Sequence, residues 1–222
     1  MRFGMRTRLS AMMFLYYLAL GAWCVTASTY LMKPHSEGGL NFSTVQVGWI
    51  YSTFALGGML ATPLVGLLVD RLFRAEIVFA VANFVSGGLL IVAANHCENV
   101  GPTIATAANA GDEVILQQYV DGAFSRLFFI MLVLSFCLQI ALTLCTVLCL
   151  RNLPDPSHQF SRTRMYGTVG WVVILNLMGL FLRPVSADPF YLAGFASLLL
   201  GVYGFTLPRT PPLHNGRTIG EA

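Results

Sequence analysis

The chain has 222 residues, of which 56% are hydrophobic and only 10% charged, and its mean hydropathy is +0.69. This composition excludes an ordinary water-soluble globule, which needs more charge on its surface, and indicates an integral membrane protein. The net charge of +3 does not indicate a nucleic-acid partner, because the basic residues do not gather on one soluble face with polar and aromatic neighbours.

Six apolar runs are long enough to cross a bilayer as helices, each of which needs about 20 residues. The predicted spans cover residues 9–31, 45–69, 75–94, 127–150, 165–182 and 190–207. The first run is longer than the core of a signal peptide, which predicts an uncleaved helix. Together the spans predict one all-α integral membrane domain over residues 1–207. The polar segment that follows at 208–222 is expected to be a cytoplasmic tail or the start of a central loop.

One connection is much longer than the others. Residues 95–126, between the third and fourth spans, are rich in Gly, Ala, Asn and Asp and are predicted to form a long loop outside the membrane. Loops of this length are usually functional or disordered, and the sequence does not say which applies here.

The positions of the basic residues predict the orientation. With a cytoplasmic N-terminus, ten of the 13 Lys and Arg residues fall on the inner side and three on the outer side, as the positive-inside rule requires. Both termini are therefore expected in the cytoplasm. The inner residues are Arg2, Arg6, Arg8, Arg71, Arg74, Arg151, Arg162, Arg164, Arg209 and Arg217.

Aromatic residues recur every seven positions along the first span, at Tyr16, Trp23 and Tyr30. This spacing places the three rings on one face of a helix. A helix-packing seam and an aromatic wall that faces a solute both explain it, and both remain open at this point.

The fourth span carries a polar stripe on one face. Its members step by four, four and three residues, and a stripe of this kind at membrane depth faces either protein or water. Hydrogen bonding between helices and a solute pathway therefore fit equally well. The stripe consists of Ser135, Gln139, Thr143 and Thr146.

The fifth span has the most informative pattern. Arg164, Thr168 and Trp171 stand at positions i, i+4 and i+7, so a cation, a hydroxyl and a flat ring share one helix face. These groups suit a polar, planar solute. The run from Phe160 to Pro184 would be about 37 Å long as a helix, longer than the roughly 30 Å hydrocarbon core, so Arg164 is expected inside the helix. Arg162 is interpreted as a flanking residue that snorkels to the membrane edge.

Nothing in the sequence predicts a catalytic or metal site, and no cofactor is expected. All four histidines lie in loops or the tail, and the spans contain no paired aspartates, which argues against an intramembrane protease and against enzymes in general. Cys145 and Cys149 are helix neighbours, but no histidine accompanies them within a span. The histidines are His35, His96, His158 and His214.

The second span ends in GLLVDRLFR, in which Gly66, Asp70, Arg71 and Arg74 resemble the G-x-x-x-D-R-x-x-x-R/K-R signature of the major facilitator superfamily. The resemblance implies that this loop is a conformational clasp whose arginines reach neighbouring helices. The sequence departs from the signature at residues 75–76, Ala-Glu, where a second basic residue is common. An ordinary charged turn that holds the topology is the alternative.

The stretch RMYGTVGW, from Arg164 to Trp171, resembles the R-x-x-G-T-x-G-aromatic segment of the nucleoside:proton symporter family, a branch of the major facilitators. The likeness continues in Gly21 and Trp23 and in the Thr-Leu-Pro at 206–208. It implies a nucleoside site that includes Arg164, Thr168 and Trp171. We add Trp23, Gln139, Thr143 and Thr146 as candidate contacts.

The resemblance also implies what lies outside the chain. Major facilitators have two six-helix halves, each built of inverted three-helix repeats, so the chain is expected to be an amino-terminal half in the bacterial inner membrane. The implied function is proton-coupled nucleoside symport by alternating access, with a missing carboxy-terminal half or a separate partner half. Because no Asp, Glu or His lies deep in a span, the coupling acid is expected in that other half.

Two alternatives to this function remain. One is transport of a different solute by a major facilitator, since Cys145 precedes Thr146 where the family usually has an asparagine, and substrate choice can differ with it. The other is a truncated half that needs a partner and does not transport alone.

Overall fold

The computed structural model describes residues 2–111, 113–181 and 186–212. Within that part of the chain every secondary-structure element is a helix and no strand is present, which confirms the all-α prediction. A single turn of 3-10 helix covers His35–Glu37. The α-helices are α1 (Arg2–Cys24), α2 (Thr26–Met32), α3 (Thr44–Arg71), α4 (Ala75–Asn109), α5 (Glu113–Asn152), α6 (Pro156–Phe181) and α7 (Asp188–Gly204).

The first predicted span is a helix broken at Val25, so α1 and α2 together form one helical segment. The break has a local cause. The Thr26 hydroxyl donates to the carbonyl of Ala22 at 3.0 Å, and the Tyr51 hydroxyl donates to the carbonyl of Cys24 at 2.6 Å. Side chains that bond helix carbonyls in this way interrupt or bend the backbone ladder.

With α1 and α2 counted as one, the described chain has six helical segments, as predicted. Four of them are long and apolar enough to cross a membrane: Gly4–Met32, Thr44–Val69, Ala75–Asn109 and Glu113–Asn152. The other two are α6, with 26 residues, and α7, with 17. At about 1.5 Å per residue α7 is roughly 26 Å long, slightly shorter than the hydrocarbon core.

The structure corrects the predicted loop at residues 95–126. The helices α4 and α5, with 35 and 40 residues, continue through this region and meet at a tight turn where Gly111 has a φ of 73°. The two helices are about 52 and 60 Å long, so they project well beyond the hydrocarbon core. Small residues hide an apolar helical pattern here, because Cys97, Ile104, Val120 and Ala123 are all buried.

The packing of the segments follows an internal symmetry. The pairs α1–α6 and α1–α7 pack closely, as do α5–α3, α5–α4 and α4–α7. Exchanging α1 with α5, α3 with α6 and α4 with α7 converts this set of pairs into itself. Because successive segments alternate in direction, the two three-helix groups run in opposite senses, which confirms the predicted inverted repeats.

The start of α1 and the end of α7 lie at one end of the bundle, which we call the termini end. The Arg8 guanidinium donates to the carbonyl of Thr206 at 3.3 Å, and the Tyr203 hydroxyl donates to the carbonyl of Arg8 at 3.1 Å. The start of α1 is thus held against the end of α7. The projecting α4–α5 turn lies at the opposite end.

A buried carboxylate fixes the segment that follows α7. Glu76 is 2% exposed; one of its oxygens accepts from the Arg74 Nε at 2.7 Å and the other from the backbone N–H of Thr210 at 2.9 Å. The Thr210 hydroxyl in turn accepts from the Asn152 side-chain amide at 2.8 Å. These bonds hold residues near 210 against the start of α4 and the end of α5.

We expect Glu76→Ala to lower the free energy of unfolding by about 1–3 kcal/mol, because it leaves the buried Thr210 N–H without an acceptor. Glu76→Gln, which keeps an acceptor, should have a smaller effect. Thermal unfolding in detergent measures both. Glu113→Gln, at an exposed position at the start of α5, is the control and should resemble the parent; an equal loss in the control would contradict the role of Glu76.

Candidate solute-binding face

The helix that carries the arginine motif starts well before the motif. The Asp155 carboxylate accepts from the Ser157 hydroxyl at 2.5 Å and from the backbone N–H of His158 at 3.3 Å, and these bonds lower the pKa of Asp155 below its ordinary value. Pro156 occupies the first helical position, where its missing N–H costs nothing. Arg164 therefore lies within α6, as expected.

The glycines of the motif bring α6 into close contact with α1. A Cβ atom at Gly170 would overlap the carbonyl oxygen of Phe14, and one at Gly167 would come within 2.6 Å of the Tyr17 ring. On the α1 side, Gly21 faces Trp171 and Ile174. Small residues that permit this approach are the usual basis of helix association in membranes, so the glycines position the face rather than bind a solute.

Arg164, Thr168 and Trp171 lie together along one flank of this contact. Arg164 and Thr168 are exposed, and Trp171 is half-buried with its ring against Gly21. Neither the Arg164 guanidinium nor the Thr168 hydroxyl has a hydrogen-bond partner in the part of the chain that the structure describes. Polar groups in a membrane helix need partners, so this flank can accept a polar ligand or another polar surface.

Tyr17 belongs to the same surface and was not predicted. Its half-buried ring packs on Gly167, and its hydroxyl lies close enough to Arg164 to interact with the charge electrostatically. The sequence contains a signal for it, because Tyr17 lies four residues before Gly21 and therefore on the same side of α1.

Tyr16, by contrast, is a packing residue. It is 1% exposed, and its hydroxyl donates to the carbonyl of Leu138 at 2.7 Å. Of the two interpretations of the aromatic repeat in α1, the packing seam accounts for Tyr16.

Trp23 lies away from this surface. Gly21 and Trp23 are two residues apart, about 200° around the helix axis, so Trp23 points away from α6. Its ring is 3% exposed and stacks between Tyr51, at 6.5 Å, and Phe190, at 6.2 Å. The structure does not bring Trp23 together with Trp171, and its contact with a solute remains a prediction.

The polar stripe of α5 faces α3. The Gln139 side-chain amide donates to the carbonyl of Phe54 at 2.9 Å, and the Ser135 hydroxyl is paired with the Thr53 hydroxyl at 2.9 Å. Hydrogen bonding between helices, one of the two alternatives, therefore accounts for Ser135 and Gln139.

The lower part of the stripe bonds within α5. The hydroxyls of Thr143 and Thr146 donate to carbonyls four residues earlier, at 2.9 and 3.5 Å. Thr143 also lines a groove of about 300 Å³ between α3 and α5, together with Thr62 and Gly66. No residue of α1 or α6 lines this groove, so the groove is separate from the Arg164 surface. Contacts of Gln139, Thr143 and Thr146 with a solute remain predictions.

In the predicted conformational loop, the arginine that is paired has a different partner from the one expected. Arg74 is bonded to Glu76, two residues away, rather than to a neighbouring helix. Arg71 and Gly66 are exposed, and a Cβ atom at Gly66 would meet open space. The side chain of Asp70 lies outside the described residues. The role of this loop as a clasp remains a prediction.

The close approach of α3 to α5 occurs nearer the middle of the membrane. A Cβ atom at Gly57 would lie 2.8 Å from the backbone of Ser135, and one at Gly58 would lie 3.1 Å from the Gln139 amide.

Among the described residues, no group of three or more His, Cys, Asp and Glu side chains is placed to hold a metal ion.

Six helical segments in two inverted triplets, four of them long and apolar enough to cross a membrane, define the class: a membrane domain with the architecture of one half of a major facilitator. The family model described as the MFS_1 like family matches residues 6–214. The chain belongs to this family.

The curated relatives are transport proteins. The chain is 28% identical over 217 residues to the putative nucleoside transporter YegT of Escherichia coli strain K12. The alignment covers 95% of this chain and 44% of that protein. It is 29% identical over 208 residues to the xanthosine permease of the same strain, covering 92% and 43%. The chain thus spans about half the length of the curated relatives it matches.

A solved structure shares the fold. The crystal structure of a mutant of the nucleoside transporter NupG matches with a TM-score of 0.79 at 20% identity, covering 97% of this chain and 47% of that one. The six-segment architecture is therefore half of the transporter fold in that structure.

Proposed function

We propose that the chain is the amino-terminal half of a nucleoside transporter. The observation that carries the proposal is the row of unpaired groups on α6, in which Arg164, Thr168 and Trp171 lie on one flank beside Tyr17. The names of the relatives, a putative nucleoside transporter and a xanthosine permease, support the choice of solute.

The chemistry of this flank suits a nucleoside. The Trp171 indole offers a flat apolar surface against which a base can stack. The Arg164 guanidinium has five N–H donors and no acceptor, so it can bond base carbonyls or ribose hydroxyls, and the Thr168 hydroxyl can donate or accept. A solute with several acceptor atoms fits these groups, because the Arg164 guanidinium only donates and the Thr168 hydroxyl can donate.

The flank is only one wall of a site. Arg164 and Thr168 are exposed, and the described chain places no helix over them. In a two-half transporter the second half would supply the opposite wall, and alternating access would follow from rocking one half against the other. The chain spans less than half of its curated relatives, which supports this arrangement.

The proposed coupling to protons depends on the second half. Glu76, the buried acid, lies at the termini end and is bonded to Arg74 and Thr210, so it is poorly placed to exchange a proton at membrane depth. We place the coupling acid in the second half. The proposed location is the bacterial inner membrane with the termini end in the cytoplasm, because most arginines gather there.

We expect the 222-residue chain alone to give no uptake of labelled nucleoside above the background of non-expressing cells. Co-expression with the sequence that naturally follows it, as one polypeptide or as a second chain, should give saturable uptake that unlabelled nucleosides suppress and sugars do not. Uptake by the 222-residue chain alone would contradict the half-transporter proposal. Suppression by sugars but not by nucleosides would show transport of a different solute.

A further inference from the structure

A second polar groove lies between α1 and α6, near the termini end. It has a volume of about 490 Å³. Its lining combines one cation, two hydroxyl residues, two apolar side chains and one phenol. The residues are Arg6, Thr7, Ser10, Ala11, Phe14 and Tyr166.

This groove is separate from the proposed nucleoside face. Tyr166 and Arg164 are two residues apart on α6, about 200° around the axis, with the line of contact with α1, through Gly167 and Gly170, between them. On α1, the neighbouring Arg8 is bonded to α7. The groove therefore lies on the other side of the α1–α6 contact from Arg164.

Two of its polar side chains have no protein partner. Ser10 is only 8% exposed, yet its hydroxyl makes no hydrogen bond to any residue in the described ranges. Arg6 is half-buried and likewise has neither an ion pair nor a hydrogen bond there. Both groups line the groove and are accessible from it, so a bound group with acceptor oxygens can take their hydrogen bonds.

The groove lies at the depth of lipid headgroups. Arg6 lies two residues inside the start of the apolar segment Gly4–Met32, with Arg8 beside it, and basic residues of this kind flank a span at its cytoplasmic edge. Ala11 and Phe14 lie deeper than Arg6 and present apolar surface. Tyrosine is enriched at this membrane interface, where Tyr166 lies.

We propose that this groove binds the phosphate of an anionic phospholipid. The Arg6 guanidinium and the Ser10 hydroxyl donate to phosphate oxygens, and an acyl chain follows Ala11 and Phe14 towards the membrane centre. An anionic lipid is favoured over a zwitterionic one because no carboxylate lines the groove to pair with a choline or ethanolamine group. The site does not depend on the proposed nucleoside transport.

The test is native mass spectrometry of the purified full chain with phosphatidylglycerol and, separately, phosphatidylcholine. The parent should retain phosphatidylglycerol preferentially. Arg6→Gln should weaken its retention about tenfold, since a charge-assisted hydrogen bond is lost, and Ser10→Ala should weaken it by a smaller factor. Ser10→Ala also keeps the test decisive should Arg6→Gln fail to fold.

The control is Arg209→Gln, which removes the same charge from an exposed position after α7, at the same end of the bundle and outside the groove. Its lipid retention should match the parent. Equal losses in Arg6→Gln and Arg209→Gln would show diffuse charge attraction and overturn the site. A second arm adds inorganic phosphate: displacement of the lipid only at phosphate far above the lipid concentration supports a lipid site, whereas equally tight phosphate binding in the absence of lipid would overturn it in favour of a small-anion site.

Discussion

Arg164→Ala is expected to reduce nucleoside uptake by the transporter with both halves present by about 10- to 100-fold. The magnitude follows from the loss of a hydrogen bond to a charged donor, about 1.5–3 kcal/mol, at about 1.4 kcal/mol per factor of ten. Arg164 is exposed and has no hydrogen-bond partner within the described part of the chain, so its removal should leave folding and membrane insertion nearly unchanged. Uptake of labelled nucleoside, normalised to the amount of inserted protein, measures the effect.

Arg162→Ala is the matched control, because it removes the same charge from the same helix two residues away, on the opposite side of its axis. The control should retain uptake. If Arg164→Ala instead lowers insertion while uptake per inserted molecule is unchanged, Arg164 is a topology residue and the proposed site is wrong. Trp171→Ala is a second test of the site, since it removes the stacking surface without changing any charge. It should also reduce uptake per inserted molecule.

The second large effect is expected for Gly170→Ala. The added Cβ would overlap the backbone carbonyl oxygen of Phe14, and a backbone atom cannot move aside as a flexible side chain can. Forcing extra volume into a packed contact typically costs about 1–3 kcal/mol. We expect a lower free energy of unfolding, measured in detergent by thermal or chemical denaturation, and a loss of uptake because α6 moves away from α1.

Gly179→Ala is the control on the same helix, since a Cβ there meets open space. It should be neutral or slightly stabilising, because alanine has the higher helix propensity. A Gly170→Ala protein as stable as the parent would show that α1 and α6 are not held at this distance, and the positions of Arg164 and Trp171 relative to Tyr17 would then need revision.

Local periodicity was sufficient for the main features of the fold and for the proposed face. Six apolar runs gave six helical segments, because a chain in a bilayer must satisfy its backbone hydrogen bonds internally. Arg164, Thr168 and Trp171 share a flank because their spacing alone puts them there on any helix. The spacing of Tyr17 to Gly21 shows that both lie on one side of α1, but only the packing shows that this side contacts Gly167.

The prediction failed where composition concealed the pattern. Residues 95–126 contain many small and polar residues and were predicted to be a loop, but Cys97 and Ile104 of α4 pack in the core, as do Val120 and Ala123 of α5. The two helices stabilise each other, and most helical stability in proteins comes from such packing rather than from propensity. The sequence of one helix does not show that a second helix packs against it and stabilises it.

The amino-acid sequence by itself determined the membrane class, the number of helical segments, the family likeness and the composition of the proposed solute face, because each depends on contacts between residues a few positions apart. Only the tertiary structure decided that Gln139 bonds α3, that Trp23 lies in an aromatic stack away from α6, and that Glu76 holds Thr210, 134 positions later. The physical reason is that helix geometry determines which residues share a face, whereas packing determines whether that face contacts another helix, lines a groove such as the one at Arg6 and Ser10, or is exposed.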